Sequence, residues 1–576
     1  MVVKGPVAPR DPAKKRPFFY VMQEKEIFGA KQPDGRGIQF IYENDNRLIN
    51  SAQIAGNVTD REMLELMKTT EGFRRLVHSI GVSVDIVTPV SQIPKVRFAF
   101  QMYGKTDPYV SGTTINMDTF ADGAERILEL ADVEWSDDDK EPGQIRFEFE
   151  QSELQARVSV RFYLQDGYEA PPVISDEAVD IQGTAYRQMI GQSLMQRGNL
   201  SRLAGAINRA QQGEDVTLAY IGGSITQGAG AIPIHHQSYA YRSYRAFAER
   251  FGKADNVHFI KAGVGGTPSE LGMLRFDRDV LRNGTVKPDI VVVEFAVNDE
   301  GDETQGVCYE SLVRKILSLP WHPAVVLLFA VFAYDWNLQE RLKIVGETYE
   351  LPMVSIKDAI TEQFKLSRKE GRVLSKNQFF YDIYHPSNMG HQIMADCLMN
   401  LFDKAVDDKE QDRTESLLQN KTAIRNEHGN GRDYEQVMLL DRMHVPQDVV
   451  IECGSFGATD TDLQKVEMDD RLEPVAQFPY NWYKMDKEND TFVIKITCKS
   501  LILIHKDSAA LDAGKADIYV DGSYRLTADP HINGWTHCNP RIIFHEENAV
   551  EHIVEIRMAA GDEEKKFTIL GFGYVL

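Results

Sequence analysis

Between residues 180 and 405, short apolar runs alternate with segments of helical spacing, a rhythm that few chain folds can satisfy. Strands buried on both faces read as continuous apolar runs, and joining two of them in parallel requires a crossover, usually a helix. The expected strands are Val216–Ile221, His258–Ala262, Asp289–Ala296, Ala324–Phe332 and Pro352–Ile356, and the expected helices are Ser238–Phe251, Glu270–Arg282, Tyr309–Leu319 and Ser387–Val406. This predicts an α/β domain at 180–405 with a parallel sheet covered on both faces. The longest apolar run, Ala324 to Tyr334, falls well short of the roughly 20 residues that cross a bilayer, and is expected to be a buried strand.

The flanks have a different period. Before residue 175, stretches beginning at Lys95, Gln144 and Ala156 alternate apolar and polar residues, as strands with one buried face do. Region 1–175 is therefore expected to be a β-rich accessory domain of sandwich type, with helical spacing at Asp60–Ile80 and Met117–Ala131 and an exit linker at Ala170–Pro172. Residues 406–440 are dominated by charged and amide side chains around Gly429, Asn430 and Gly431, which predicts a solvated linker. Alternating runs return near Phe492, Leu501, Ala516 and Ile553, with a turn at Asp521-Gly522, so 441–576 is expected to be a second β-sandwich.

At 576 residues several domains are expected. Acidic residues outnumber basic ones, 86 to 64, for a net charge of -22, which disfavours binding to nucleic acid or to an anionic membrane. Five cysteines stand far apart without a CxxC pair, so neither a zinc site nor a redox pair is expected and reduced thiols are the simplest reading. The basic stretch from Met1 to Pro17 lacks a following apolar segment, and a cytoplasmic location is the expectation; secretion stays open where a signal has been removed. A homo-oligomer is compatible with all of this.

The chemistry concentrates at predicted strand ends. The strand from Val216 runs into Gly222, Gly223 and Ser224 just before an expected helix, where glycines permit a sharp turn and free N–H groups can receive a developing negative charge. A structural turn or a phosphate loop would use similar residues, but the Gly-Lys-Ser/Thr ending of a Walker loop is missing, and Thr226 replaces the second glycine of an α/β-hydrolase elbow. Gly263, Gly265 and Gly266 follow the second strand, and Asn298 and Asp299 the third. Asp382 and His385 stand three residues apart before the last helix, a spacing at which a short turn can hold the carboxylate against one imidazole nitrogen.

These four blocks, in this order, resemble the SGNH (GDSL-like) hydrolase superfamily over about residues 215–400. The resemblance implies a flavodoxin-like core and a serine esterase needing no metal or other cofactor. Ser224 would be the nucleophile, His385 the general base and Asp382 its orienting partner, with Ser224 and Gly266 N–H groups and the Asn298 amide forming the oxyanion hole. Three departures stand out: Gly223 replaces the usual Asp, Lys261 replaces the Asn that opens the second block, and Ala296 replaces a Gly. A core of this type joined to β-sandwich modules is similar to bacterial carbohydrate O-acetylesterases. That implies an acetylated oligosaccharide of mannan or xylan type as substrate. A lipase or thioesterase of the same superfamily, and a non-catalytic glycan-binding protein, are the alternatives.

Other conspicuous residues admit two readings. His531 to His537 places Trp535 among polar groups, either as a platform for a sugar ring or as an anchor for the sandwich; Tyr480 to Tyr483 presents the same choice. His235 and His236 lie just past the nucleophile loop. His391 and the tyrosines at 239, 241 and 244 are expected to pack, Asp299 to bond backbone amides, and Glu294 to be buried with a partner.

Overall fold

The computed structural model describes residues 16–32, 34–41, 46–56, 58, 60–171, 176–406, 431, 433–485 and 488–576. The basic stretch before residue 16, Pro172 of the expected exit linker, and residues 406–440 from 407 through Asn430 lie outside the described residues.

The central sheet has the strand order Leu194–Gln196, Met353–Ser355, Ala324–Phe329, Ile290–Glu294, Val216–Gly222, Val257–Gly263. The last five are mutually parallel; numbered along the chain they run 2-1-3-4-5, the flavodoxin-like order. Leu194–Gln196 adds an antiparallel edge, a strand too short to announce itself by periodicity. The helices Tyr239–Phe251, Ser269–Asp279, Val307–Leu317 and Asn388–Val406 fall within a few residues of their expected bounds. One apolar cluster lies on each face of the sheet, with Val216, Leu218 and Tyr220 in one and Ala219 and Ile221 in the other. Order reverses between Val216–Gly222 and Ile290–Glu294, and such switch points are where open α/β sheets bind ligands.

The N-terminal domain has two antiparallel sheets of four and five strands around a core rich in aromatics, including Phe73, Phe98, Phe147 and Phe162. Helices Arg61–Leu66 and Thr70–Leu76 occupy the first predicted helical stretch. The second, Met117–Ala131, is strand instead: Thr114–Phe120 and Arg126–Glu129. Period-two alternation from Thr114 and pairing with Lys95–Gly104 decide the matter, and Gly123 at φ +78° interrupts the segment.

The C-terminal domain is built on an eight-stranded antiparallel sheet, with a separate two-stranded pair formed by Lys465–Val466 and Val475–Ala476. It begins at Met438–Leu440, inside the expected linker, and Tyr434 and Val437 before it are already buried. Its long strands Phe492–Asp507 and His537–Met558 change register between Cys498 and Ser500 and again between Leu501 and Ile502. Such bulges bend a strand. Beyond them Leu501 and Leu503 face the domain's own core while Ile502 and Ile504 join a cluster of the central domain.

Candidate active site

Ser224 opens the short helix Ser224–Gln227 directly after the strand Val216–Gly222, so its N–H is among those a helix start leaves without an internal acceptor. Its Oγ lies 2.9 Å from His385 Nε2. On the other side of the ring, His385 Nδ1 is 2.9 Å from Asp382 Oδ2. The second carboxylate oxygen accepts the N–H groups of Tyr384 and His385, each at 2.8 Å, so the turn that sets the spacing is closed by the side chain that uses it. Burial works against ionising Asp382, yet the His385 ring, the Tyr384 N–H and the charge of Arg47 hold its pKa down to about 2. Ser224 and His385 are partly exposed and Asp382 is buried. The line of contacts is what base-assisted attack by a serine requires.

Gly266 (φ +71°) and Asn298 stand at the ends of the neighbouring strands. A Cβ built on Gly265 would be 3.6 Å from Ser224 Cβ, and one built on Gly223 would be 2.1 Å from Asn298 Oδ1. The second distance accounts for the first sequence departure: no side chain fits at 223 while the Asn298 amide lies against the turn of Gly223 and Ser224. Oδ1 of Asn298 has no hydrogen-bond partner among the described residues. Lys261, the second departure, is fully buried and donates to the Gln227 carbonyl at 2.8 Å, capping the helix that Ser224 begins. Burial lowers its pKa to about 8 against the pull of Glu467 and Asp469. At the third, Ala296 is buried and its carbonyl accepts the Leu338 N–H at 2.8 Å.

The C-terminal domain reaches the glycine loop. His537 Nε2 bonds the Gly266 carbonyl at 2.9 Å and Gln464 Nε2 donates to the Gly265 carbonyl at 2.9 Å. Trp535, 44% exposed, lies against Gly266 with its ring 4.7 Å from that of His537. The sequence names His537 only as the polar end of the stretch around Trp535 and gives no sign of Gln464, since one polar residue in a β domain carries no periodic signal. The same holds for an aromatic wall beside the imidazole: Tyr384 packs 6.1 Å from His385 and 5.1 Å from Phe332, which stacks on Trp336, with Tyr334 exposed at the rim. Phe332 and Tyr334 fall in the apolar run expected to be a buried strand, which in fact ends at Phe329; Trp336, two residues further on, gave the alternation that marks the wall.

Trp482 is buried in the core of the C-terminal domain, Tyr483 is half-buried and Tyr480 is exposed. His391 accepts the Tyr239 N–H and bonds the Ala229 carbonyl; burial lowers its pKa to about 3, so it stays neutral. His235 packs against His236, and His236 against Tyr241; Tyr241 and Tyr244 pack on Phe259. Asp299 accepts the N–H and hydroxyl of Ser269 at 2.7 and 2.8 Å. Glu294 is fully buried, accepts from Thr226 Oγ1 at 3.0 Å, and is raised by burial to about 7. Among the described residues one group has metal-ligand spacing, Glu270, Asp302 and Cys308, with donor atoms within 4.8 Å of one another. Its carboxylates already take the N–H groups of Glu303, Thr304 and Gly306.

Residues 220–393 match the model of the GDSL-like lipase/acylhydrolase family. The central domain is GDSL-like. A solved two-domain esterase (CEX) active on acetylated mannans is 27% identical, with a TM-score of 0.55; the match covers 67% of this chain and 98% of the esterase. The structure of a two-domain esterase (CEX) active on acetylated mannans, co-crystallized with mannopentaose, matches at 27% identity over 67% of this chain and 97% of its own, with a TM-score of 0.53. No curated protein matches. With its GDSL-like core and antiparallel β domains, the chain is a carboxylic ester hydrolase. No helix among the described residues is long and apolar enough to cross a membrane.

Proposed function

We propose that this protein is a serine esterase that removes O-acetyl groups from acetylated oligosaccharides of mannan type, with xylan type as the second substrate class. The observation that carries the reading is the unbroken contact from Ser224 through His385 to Asp382, set between Trp535 on one domain and Tyr384 on another. Aromatic faces are surfaces on which sugar rings stack, and the solved esterase that covers two thirds of the chain acts on acetylated mannans. Trp535 is the substrate platform in this reading.

His385 takes the Ser224 proton, the alkoxide attacks the acetyl carbonyl, and the oxyanion is received by the N–H groups of Ser224 and Gly266 and the amide of Asn298. The sugar alcohol leaves with the proton from His385; water, activated by the same imidazole, then releases acetate. Asp382, its pKa held down to about 2, keeps the imidazole oriented and balances its charge.

Mass-spectrometric detection of acetate loss from acetylated manno- and xylo-oligosaccharides, with Ser224→Ala as the control, tests this. Loss with the native chain and at least about 10⁴-fold less with the variant is expected. Cleavage confined to acyl thioesters or long-chain esters would move the protein to the thioesterase or lipase reading. Sugar binding without cleavage of any ester would make it a glycan-binding protein.

A further inference from the structure

The N-terminal domain meets the core at the base of the loop that carries Asp382 and His385. Its strand Phe18–Phe28 loses register against Gln155–Leu164 between Met22 and Lys25, and Glu24 takes φ +49°. An irregularity of this kind re-aims the side chains around it. Lys25, only 8% exposed, extends into the core domain, where its Nζ donates to the Asn377 carbonyl at 2.8 Å and to the Phe380 carbonyl. These belong to the end of the short helix Lys376–Phe379 and its cap, where a helix leaves carbonyls without internal partners and a lysine is the natural cap. Tyr381 and Asp382 follow immediately.

The next residue makes a second tie. Glu26 Oε2 accepts from Asn388 Nδ2 at 2.7 Å. The same carboxamide donates to the Ile232 carbonyl at 2.8 Å and accepts the Ile232 N–H at 2.7 Å. Ile232 lies in the turn after the nucleophile helix, where Gly230 leaves no room for a side chain between itself and Pro386 and His385. Lys25 is pushed down to about 8 by burial, while the charges of Asp382 and Asp176 favour its cationic form. Arg47 of the same domain also lowers the pKa of Asp382.

We propose that Lys25 and Glu26 are positioning residues for ester hydrolysis: Lys25 pins the root of the Asp382–His385 loop, and Glu26, through Asn388, fixes that loop against the turn behind Ser224. The proposal rests on the reading of Ser224, Asp382 and His385 as the catalytic set. Displacing a reacting group by about 1 Å can cost on the order of 100-fold in rate, and nothing else in the N-terminal domain needs to touch substrate for this effect.

The test uses the full-length protein and 4-nitrophenyl acetate, a substrate too small to depend on a sugar subsite. Lys25→Ala is expected to lower kcat about 10- to 100-fold with KM within about twofold, and Glu26→Gln to have a smaller effect in the same direction. Propylammonium, which fills the emptied channel with a cation, should restore part of the Lys25→Ala activity and leave the native protein unchanged; Lys25→Arg should retain more activity than Lys25→Ala. Amide hydrogen exchange supplies a readout independent of turnover: the 381–389 segment should exchange faster in Lys25→Ala while the strands of both domains keep their protection. A folded Lys25→Ala protein with native kcat, or with native exchange at 381–389, would overturn the proposal. A native protein inert on every acetyl ester, with exchange at 381–389 still raised in Lys25→Ala, would sink the esterase reading and leave the mechanical hold standing.

Discussion

The two accessory domains are joined to the hydrolase core by different physics. On the C-terminal side the join is apolar: Leu274 and Phe276 of the core share one cluster with Val437, Ile502, Ile504, Leu570 and Val575, and a Cβ on Gly573 would fall 2.0 Å from Leu274. The N-terminal domain has a core of its own, running from Phe19 to Leu164, and among its described residues only Ile54 is a buried member of a cluster of the central domain. It reaches the loop of Asp382 and His385 and the segment after it through charged side chains, Lys25 and Glu26. Apolar burial is non-directional and contributes stability in proportion to area. A hydrogen bond adds little net stability but fixes where its partner sits. The contrast assigns the C-terminal domain to the stability of the enzyme and the N-terminal domain to the geometry of one loop; where the C-terminal domain also sets geometry, at Gly265 and Gly266, it does so through two polar side chains.

The sharpest way to break this picture lies at the point both holds serve. Gly223→Asp, which restores the residue common in the family, should drive a Cβ into the Asn298 amide and cost about 100- to 1,000-fold in kcat, as removal of one oxyanion donor does, with Asn298→Ala matching it. Native turnover of an acetyl ester by Gly223→Asp would remove Asn298 from the site. Next comes the apolar join: Leu274→Ala should lose about 2–5 kcal/mol in denaturant unfolding and change kcat little below the transition. A large kcat loss at native stability would erase the distinction between the domains.

A smaller effect is expected at the rim. Trp535→Ala should raise KM for acetylated oligosaccharides about tenfold, equivalent to about 1.4 kcal/mol of stacking, and leave 4-nitrophenyl acetate kinetics unaltered. An equal change on both substrates would make Trp535 a support for the glycine loop instead of a sugar platform. The smallest effect on turnover belongs to Glu294, which lies under the helix Ser224–Gln227 and bonds Thr226. Its folded pKa of about 7 lies above the usual 4.5, so the folded state keeps a proton the unfolded state has lost, and stability falls as pH rises between these values. Glu294→Gln removes that loss: unfolding should be unaffected at pH 4 and shifted toward greater stability at pH 8, by on the order of 3 kcal/mol at most.

The sequence alone determined the parallel sheet, the position of Ser224 at a strand end and the pairing of Asp382 with His385. Each rests on local order: an apolar run of five or six residues, a glycine turn, a spacing of three that one Asx-type turn can close. It did not determine what lies behind Gly223, because that glycine answers to an amide 75 residues further on. Nor did it show that Lys25 would meet carbonyls 352 and 355 residues away, or that His537 would hold a glycine 271 residues earlier. Single polar residues carry no periodicity, and their partners are fixed only when separately folded layers come together; that step belonged to the tertiary structure.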